Sequence, residues 1–338
     1  MKKSITRAII DATVDRGLRE IYEDPRRSIR KLADLGKQYN KGRFTQDVYS
    51  IFQDLLRNDD SPYYTAIEHL LQNTDRKNLK DFGINMGYNS FTIGGKKIRT
   101  LQETEGLNIP WGLLIRLNSM KKTGMTPQDL LPIIAQGKKL GIYTYLIRLE
   151  GSLSYFEDLL KVFITYDDCS FIFVLPDEEI SPSMSQYIGE CSNVLYFLPA
   201  FDDNCGSNIR ILKKYRAWYG LYSTYNSDPD ANNLISVEST WEYLLQDSAF
   251  LLTLAEDGTD PSIVDKTTVR IKETRLSPVV PLFIFDVYGD TMQIQKLISG
   301  NMFFFEIMSD GSFHTSNGDF AQTDGIPNLE KTFREIFP

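Results

Sequence analysis

Cysteine and histidine are scarce in this chain, which limits the metal and redox chemistry it can carry. Its 338 residues include three cysteines, none at C-x-x-C spacing, and two histidines. A metal site built from histidine and cysteine is therefore not expected, although a carboxylate site stays open. His314 has no second ligand at helical or hairpin spacing, so we expect it at the surface. Three cysteines without a regular framework are typical of reduced structural thiols.

Long apolar runs are absent as well. Crossing a bilayer takes roughly 18 consecutive apolar residues, and no segment approaches that length. The basic start of the chain resembles a signal peptide, but Asp11 and Asp15 interrupt its apolar stretch. We therefore expect a cytoplasmic protein.

The net charge of −8 is unevenly distributed along the chain. Basic residues outnumber acidic ones in the first 100 residues, whereas acidic residues dominate the remainder. Two solvated surfaces of opposite sign, facing each other within the molecule, are the simpler interpretation. The alternative is a basic N-terminal face that contacts an anionic partner or a membrane surface. The acidic remainder argues against nucleic acid as a partner.

The first 75 residues predict helices. Apolar residues at helical spacing predict a first helix that ends before Pro25, and a second helix is predicted over 27–39. A third carries an apolar face made of Val48, Ile51, Phe52, Leu55 and Leu56. A fourth starts at Pro62. Residues 76–107 contain five glycines and the basic stretch 96–99 without the spacing of a phosphate loop, and are interpreted as a linker.

From residue 111 onward, apolar strand-like runs alternate with amphipathic helical stretches, which indicates a parallel sheet. The predicted strands are 112–115, 142–147, 171–175, 194–198, 219–223 and 250–254, and the predicted helices are 126–139, 154–163, 180–189, 207–217 and 238–246. About six units favour an open partial barrel, with a doubly wound sheet as the alternative. After 280 a strand over 281–287, a hairpin over 303–313 and a helix over 328–336 break the alternation.

The predicted fold is therefore α/β, a partial (β/α)6 TIM-like barrel between two smaller parts. Residues 1–107 form a helical N-terminal region and linker, and residues 108–278 form the partial barrel. Residues 279–338 form a small C-terminal extension made of a β-hairpin and a helix.

Several segments, taken in order, resemble one known family. Residues 106–111 read GLNIPW and lead directly into the first predicted strand. Residues 21–25 (IYEDP), 136–143 (QGKKLGIY) and 281–286 (PLFIFD) extend the pattern over nearly the whole chain. These segments resemble clostridial-type radical S-adenosylmethionine (radical SAM) proteins with a SPASM-like C-terminal region.

The resemblance fails at the positions that carry the family's chemistry. In those proteins the first strand leads into a three-cysteine loop that holds an iron–sulfur cluster, but residues 116–124 (RLNSMKKTG) contain no cysteine. The motif that holds the S-adenosylmethionine amino group falls on residues 149–152 (LEGS), and two auxiliary-cluster cysteines fall on Leu297 and Ser316. Because such clusters need thiolate ligands, the resemblance implies a pseudoenzyme without cluster, catalytic residues or S-adenosylmethionine.

Polar residues follow the predicted strands at the end where parallel β/α folds bind ligands. Ordinary solvent exposure is the simpler interpretation for most of them. Arg148 and Glu150 are the exception, because an ion pair at that place would plug an emptied cofactor site. The candidate ligand-binding residues of this barrel mouth are Arg116, Asn118, Arg148, Glu150, Asp202 and Glu256, with Asp203, Tyr225, Asn226 and Asp257 beside them.

Three functions stay open at this point. The first is a non-catalytic scaffold or regulatory protein that binds a protein partner, either an intact radical SAM paralogue or a second copy of itself. The second is a small-molecule binder or a cluster-free enzyme that uses a cavity lined by Arg116, Arg148 and Glu150. The third is peripheral membrane contact through the basic N-terminal helices. We rank them in that order.

Overall fold

A computed structural model of the chain describes residues 5–23, 27–31, 53–121, 123–248, 250–276, 282–321 and 326–338. One sheet of ten strands forms its centre. The strands are β1 (Gly112–Asn118), β2 (Thr144–Glu150), β3 (Ser170–Val174), β4 (Val194–Pro199), β5 (Trp218–Tyr225), β6 (Phe250–Ala255), β7 (Phe283–Asp286), β8 (Phe305–Ile307), β9 (Phe313–Thr315) and β10 (Gly318–Phe320).

Helices precede the sheet and connect its parallel strands. The α-helices are α1 (Ile5–Glu23), α2 (Tyr63–Asn73), α3 (Arg76–Ile84), α4 (Gly95–Glu105), α5 (Leu130–Leu140), α6 (Phe156–Thr165), α7 (Cys205–Lys214), α8 (Asp228–Ser236), α9 (Glu238–Asp247), α10 (Pro261–Leu276), α11 (Val287–Ser299) and α12 (Leu329–Ile336). A π-helix (Asn85–Gly94) joins α3 to α4, and short 3-10 turns lie at Pro127–Asp129, Leu153–Tyr155 and Met184–Glu190. Among the described helices, none is both long enough and apolar enough to cross a membrane.

The strand order is β10-β9-β8-β1-β2-β3-β4-β5-β6-β7, so the sheet is open and its edges are β7 and β10. Strands β1 to β7 pair in parallel in chain order, and each of the six predicted strands overlaps one of them. The predicted open α/β partial barrel is therefore confirmed. Fully buried parallel strands are continuous apolar runs, which is why the sequence identifies them.

Two parallel strands extend the predicted barrel, one at each side. Strand β7 pairs with β6, and β8 pairs in parallel with β1. The alternation predicted to end at residue 280 thus continues through α11, and only β9 and β10 form the antiparallel part. The two strands β7 and β8 are not neighbours in the sheet, and the gap between them is called the seam below.

The predicted linker over 76–107 is wrong, because α3, the π-helix and α4 form continuous helical structure there. Apolar residues on these helices, Phe82 and Ile98 among them, are buried in the same core as the barrel strands. Gly94 lies so close to the turn before β2 that an added Cβ would be 2.2 Å from the Gly141 carbonyl oxygen. Lys96 and Lys97 of the basic stretch are exposed, but they lie on α4.

The N-terminal helices close the end of the barrel where the strands begin. Phe82 on α3 meets Trp218 on β5 edge-to-face at 5.0 Å, and Trp218 in turn meets Phe250 on β6. Tyr63 on α2 lies 4.7 Å from Phe283 on β7. The other end of the barrel, where the strands finish, is called the mouth. Residues 32–39 of the second predicted helix, and Val48, Ile51 and Phe52 of the third, lie outside the described residues.

The predicted helix over 180–189 is a 3-10 helix that starts later, at Met184. Pro182 precedes it, and proline lacks the amide hydrogen that a helix interior needs.

Candidate functional site

Arg116 is the centre of a buried polar cluster in the mouth. Its Nε donates to Glu306 Oε1 over 2.7 Å, and its Nη2 donates to the Tyr288 hydroxyl over 2.9 Å. Its Nη1 donates to both carboxylate oxygens of Asp257, at 2.7 and 2.9 Å. Only 2% of Arg116 is exposed to solvent, so the guanidinium depends on these partners in place of water.

These partners come from distant parts of the sheet. Arg116 lies on β1, and Glu306 lies on the neighbouring strand β8. Asp257 follows β6, which is five strands from β1. In a flat sheet that separation would be about 24 Å, far beyond the reach of one arginine. The sheet must therefore curl strongly, and Arg116 joins its two ends across the concave side. Tyr288, in the first turn of α11, reaches the same point from the seam.

The partners of Arg116 stabilise its positive charge. Burial opposes the charge on Arg116, but the charge and hydrogen bonds of Glu306 outweigh it, and the pKa of Arg116 is raised. Burial also raises the pKa of the Tyr288 hydroxyl, and the negative charge of Glu306 adds to the effect. The Tyr288 hydroxyl donates to Glu306 Oε2 over 2.9 Å while it accepts from Arg116. A neutral phenol thus bridges the two charged groups.

Arg148 and Glu150 lie next to this cluster on β2. Arg148 Nε is 3.4 Å from Glu150 Oε1, and the same oxygen is 3.8 Å from Arg116 Nη1. Both side chains are half-buried, unlike that of Arg116. Tyr222 on β5 faces them, and burial raises its pKa to about 12 against a lowering effect of Arg148. The predicted Arg–Glu pair therefore exists, but the side chain that fills the barrel interior is Arg116.

The remaining predicted mouth residues have separate surroundings. Asn118 accepts a hydrogen bond from the Met120 amide over 3.0 Å and so shapes the turn after β1. Glu256 is exposed and accepts from the side chains of Thr224 and Asn226, both at 2.9 Å. Neither residue takes part in the hydrogen bonds described above for Arg116.

Asp202 and Asp203 are exposed and precede α7. Partial burial raises the pKa of Asp202, and the nearby charges of Asp177 and Asp203 raise it further. Tyr225 is turned toward the helices, where its hydroxyl donates to Asp286 over 2.9 Å. The structure therefore brings together Arg116, Arg148, Glu150 and Asp257, and leaves these three residues apart from them.

Sequence reasoning missed Glu306 and Tyr288. The signal for Glu306 was present, because a charged residue follows three phenylalanines in a run that forms a buried strand. Its partner could not be identified, since Arg116 is 190 positions away and the pairing of β8 with β1 was not foreseen. Tyr288 carried no local signal.

A cleft of about 680 Å³ opens at the seam, next to the Arg116 cluster. It lies between the loop after β6, the first turns of α10 and α11, and the β8–β9–β10 region. We call it the seam cleft. Its lining includes Glu256, Asp257, Asp265, Tyr288, Met292, Phe304, Met308, Phe313, His314, Ser316 and Asp319.

His314 lies on one wall of the seam cleft, so its predicted position at the open surface is only partly right. Its side chain is 39% exposed, and its Nδ1 is hydrogen-bonded to Asp319 Oδ1. Asp319 is directly opposite His314 in the β9–β10 pair, which is the hairpin spacing that the sequence reading overlooked. The ring of His314 contacts Phe304 at 5.2 Å and Tyr288 at 5.9 Å.

The side chains present do not fit the iron–sulfur cluster that cysteine-complete members of the resembled family hold. Cys169 and Cys191 precede β3 and β4 and so lie at the closed end of the barrel, opposite the mouth. Burial raises the pKa of Cys169, and raises that of Cys191 to about 12, so both are thiols at neutral pH. Cys205 begins α7 and is buried. Among the described residues, no group of three His, Cys, Asp or Glu side chains is arranged to hold a metal ion.

Comparison with known proteins gives a distant structural likeness. No family model and no curated protein matches the chain. Among solved structures it is similar to SuiB of Streptococcus suis bound to S-adenosylmethionine, with a TM-score of 0.43, 12% identity and coverage of 64% of this chain and 61% of SuiB. The complex of SuiB with the precursor peptide SuiA has a TM-score of 0.44 and 11% identity, with coverage of 64% of this chain and 62% of SuiB. Plasmodium falciparum HPPK-DHPS has a TM-score of 0.32 and 12% identity, with coverage of 56% of this chain and 42% of that protein.

The chain therefore spans less than two thirds of the length of SuiB. SuiB is a radical SAM enzyme, and at TM-scores below 0.5 the similarity carries no argument about this chain. Membership of that family stays a prediction from the sequence.

Proposed function

We propose that this chain is a radical-SAM-like pseudoenzyme that acts as a non-catalytic binding protein for a protein partner. The observation that carries the proposal is the Arg116 cluster. A guanidinium held by Glu306, Tyr288 and Asp257 fills the mouth beside the loop in which the resemblance expects three thiolates. A guanidinium has no electron pair to offer a metal, and it cannot be deprotonated in a protein.

An exposed aromatic pair next to the mouth supports a protein partner. Phe201 follows β4 and is 51% exposed, and Tyr243 on α9 is 46% exposed. Their rings stack at 5.4 Å, and the Tyr243 hydroxyl donates to the Ala200 carbonyl, so the pair is held in place before binding. Rigid aromatic side chains are enriched in protein interfaces because they bury a large area at a small entropic cost.

The loss of radical chemistry is tested by anaerobic reconstitution with iron and sulfide. We expect protein-bound iron far below one cluster per chain, no visible absorption from a cluster, and no binding of S-adenosylmethionine by isothermal titration calorimetry. The physical reason is the lack of a thiolate set near the mouth. A full cluster per chain, with reductive cleavage of S-adenosylmethionine, would overturn the proposal.

The partner is tested by affinity capture of the full chain from native lysate and by light scattering of the purified protein. We expect either a cysteine-complete radical SAM protein in stoichiometric amount or a dimer of this chain. Phe201→Ser should abolish the association, whereas Val269→Ser, at an exposed position on α10, should leave it intact. Recovery of a monomer alone, or equal capture by both variants, would contradict a role for the aromatic pair.

A small-molecule binder or cluster-free enzyme is the second candidate. In the cavity first predicted for it, Arg116 makes its hydrogen bonds to protein carboxylates and a tyrosine. The seam cleft beside it favours this candidate, since about 680 Å³ is the size of a typical metabolite pocket. The His314–Asp319 pair, with Nε2 left to accept a proton, would supply a general base there.

A further inference from the structure

We infer that the seam cleft binds a small organic cation, an amine with an apolar body. This inference deepens the small-molecule candidate and is independent of the protein partner. Three features of the cleft support it: its charge, its aromatic floor and its size.

The charge of the cleft selects against anions. Four carboxylates line it, those of Glu256, Asp257, Asp265 and Asp319, and its lining among the described residues includes neither lysine nor arginine. Arg116 offsets part of the charge of Asp257 from behind the wall. Asp319 is hydrogen-bonded to His314, and Glu256 and Asp265 leave an excess of negative charge in a concave site, where low-dielectric walls strengthen the field. A carboxylate or phosphate ligand would be repelled there.

The floor of the cleft is aromatic and rich in sulfur. Tyr288 and Phe304 lie 4.8 Å apart, and both are at most 7% exposed, as is Phe313 beside them. Met292 and Met308 add flexible apolar side chains to the lining. Aromatic faces attract a cation within about 6 Å, and methionine adapts to irregular apolar shapes. An ammonium ion would meet the carboxylates and ring faces while its apolar body covers the floor.

The cleft is more than a group of acidic residues, because its volume and its aromatic floor are separate observations. A space of about 680 Å³ accepts a molecule of metabolite size. Tyr288 also joins this floor to the Arg116 cluster, since its ring lines the cleft while its hydroxyl donates to Glu306. One wall of the cleft is therefore held in place by the hydrogen bonds of the Arg116 cluster.

Three probes of equal size separate the contributions to binding. Phenethylamine is a cation, phenethyl alcohol is neutral and phenylacetate is an anion, and each is titrated into the full chain by calorimetry. We expect the amine to bind at least tenfold more tightly than the alcohol, and phenylacetate to give no heat. Equal affinity for the three probes, or no binding of the amine, would overturn the inference.

Two variants that replace a carboxylate by a neutral amide test whether the amine binds in the cleft. Asp265→Asn and Asp319→Asn each remove one exposed carboxylate from its rim and should weaken amine binding about two- to fivefold. Glu179→Gln, at an exposed position between β3 and β4, is the matched control and should change nothing. Unchanged affinity in both cleft variants would show that the amine binds elsewhere. The iron and partner experiments above keep their meaning whichever result appears.

Discussion

At the scale of single residues, Arg116 is held so completely by protein atoms that its partners depend on it in return. Replacing it by methionine keeps most of the volume but leaves the Glu306 carboxylate buried, with only 3% exposure, and without its cation. Breaking a buried ion pair from one side costs about 3–5 kcal/mol. We therefore expect Arg116→Met to lower the free energy of unfolding by about that amount, measured by urea denaturation.

Two further variants separate the ion pair from general damage to the mouth. Arg148→Met removes a half-buried guanidinium from the neighbouring strand and should cost less than about 1 kcal/mol. Adding Glu306→Gln to Arg116→Met should recover at least half of the loss, because the uncompensated charge is then gone. Equal losses for Arg116→Met and Arg148→Met would mean that the cluster does not hold the seam together.

The raised pKa of Asp286 predicts that the stability of the protein depends on pH. It caps α11 by accepting from the Gly289 amide, and it also accepts from Tyr225 and Thr253. Burial raises its pKa from 3.8 to about 6, and the charge of Asp290 adds to the effect against these hydrogen bonds. Native Asp286 therefore holds its proton more tightly than the unfolded chain does. Its contribution to stability should fall by about 3 kcal/mol in total as the pH rises from about 3 to about 7.

The comparison with Asp286→Asn isolates this effect, because asparagine keeps the helix cap and does not titrate. The difference in unfolding free energy between the wild type and the variant is measured at pH 4 and pH 7. It should shift toward the variant as the pH rises. A difference that is constant with pH would mean that Asp286 titrates alike in the folded and unfolded chain.

At the scale of elements, Gly94 shows why the predicted linker is a helix. Its φ of −61° is ordinary helical geometry, so space, rather than conformation, requires glycine there. The Gly141 carbonyl oxygen occupies the position of a side chain. Gly94→Ala should therefore destabilise the protein by about 1–3 kcal/mol through overpacking, read as a lower Tm.

Gly83 is the matched control within the same helical stretch. An added Cβ there meets no atom within 4 Å. Alanine also has the better helix propensity, so Gly83→Ala should raise stability by about 0.5–1 kcal/mol. If both variants shift Tm in the same direction, α4 is not docked against the turn before β2.

The elements differ in how much their own sequence reveals. Strands such as β2 and β4 could be predicted, because burial on both faces makes a parallel strand apolar throughout. The region of Gly94 and Gly95 could not, since glycine signals a loop locally while a close backbone contact requires it here. Arg116 and Glu150 were found from their positions at strand ends. Glu306 was missed, because its role depends on which strand β8 pairs with, and that is a property of the whole sheet.

At the scale of the whole molecule, α3 and α4 contribute to the core of the barrel, whereas α1 and α2 contribute mainly to a second, separate apolar cluster. Asn85 is fully buried and donates to the carbonyls of Asp167 and Cys169, at 2.8 and 2.9 Å, just before β3. Phe82 contacts Trp218 on β5. These contacts join α3 and the π-helix to the barrel through amide and aromatic groups.

Phe82→Ala tests the core that α3 shares with the barrel, because the substitution lies on a helix while its effect can be measured in the barrel strands. Removing a buried phenylalanine costs about 3–5 kcal/mol through lost burial and the cavity that remains. If unfolding is one cooperative event, the free energy of global opening measured by hydrogen exchange at the β3 amides should fall by the same amount. Urea transitions followed by circular dichroism and by tryptophan fluorescence should also stay coincident, since Trp111, Trp218 and Trp241 all lie in the barrel part. A variant that loosens α3 while β3 exchanges as in the wild type would instead mean two separately folding units, and Arg116 would then hold the mouth without help from the closed end.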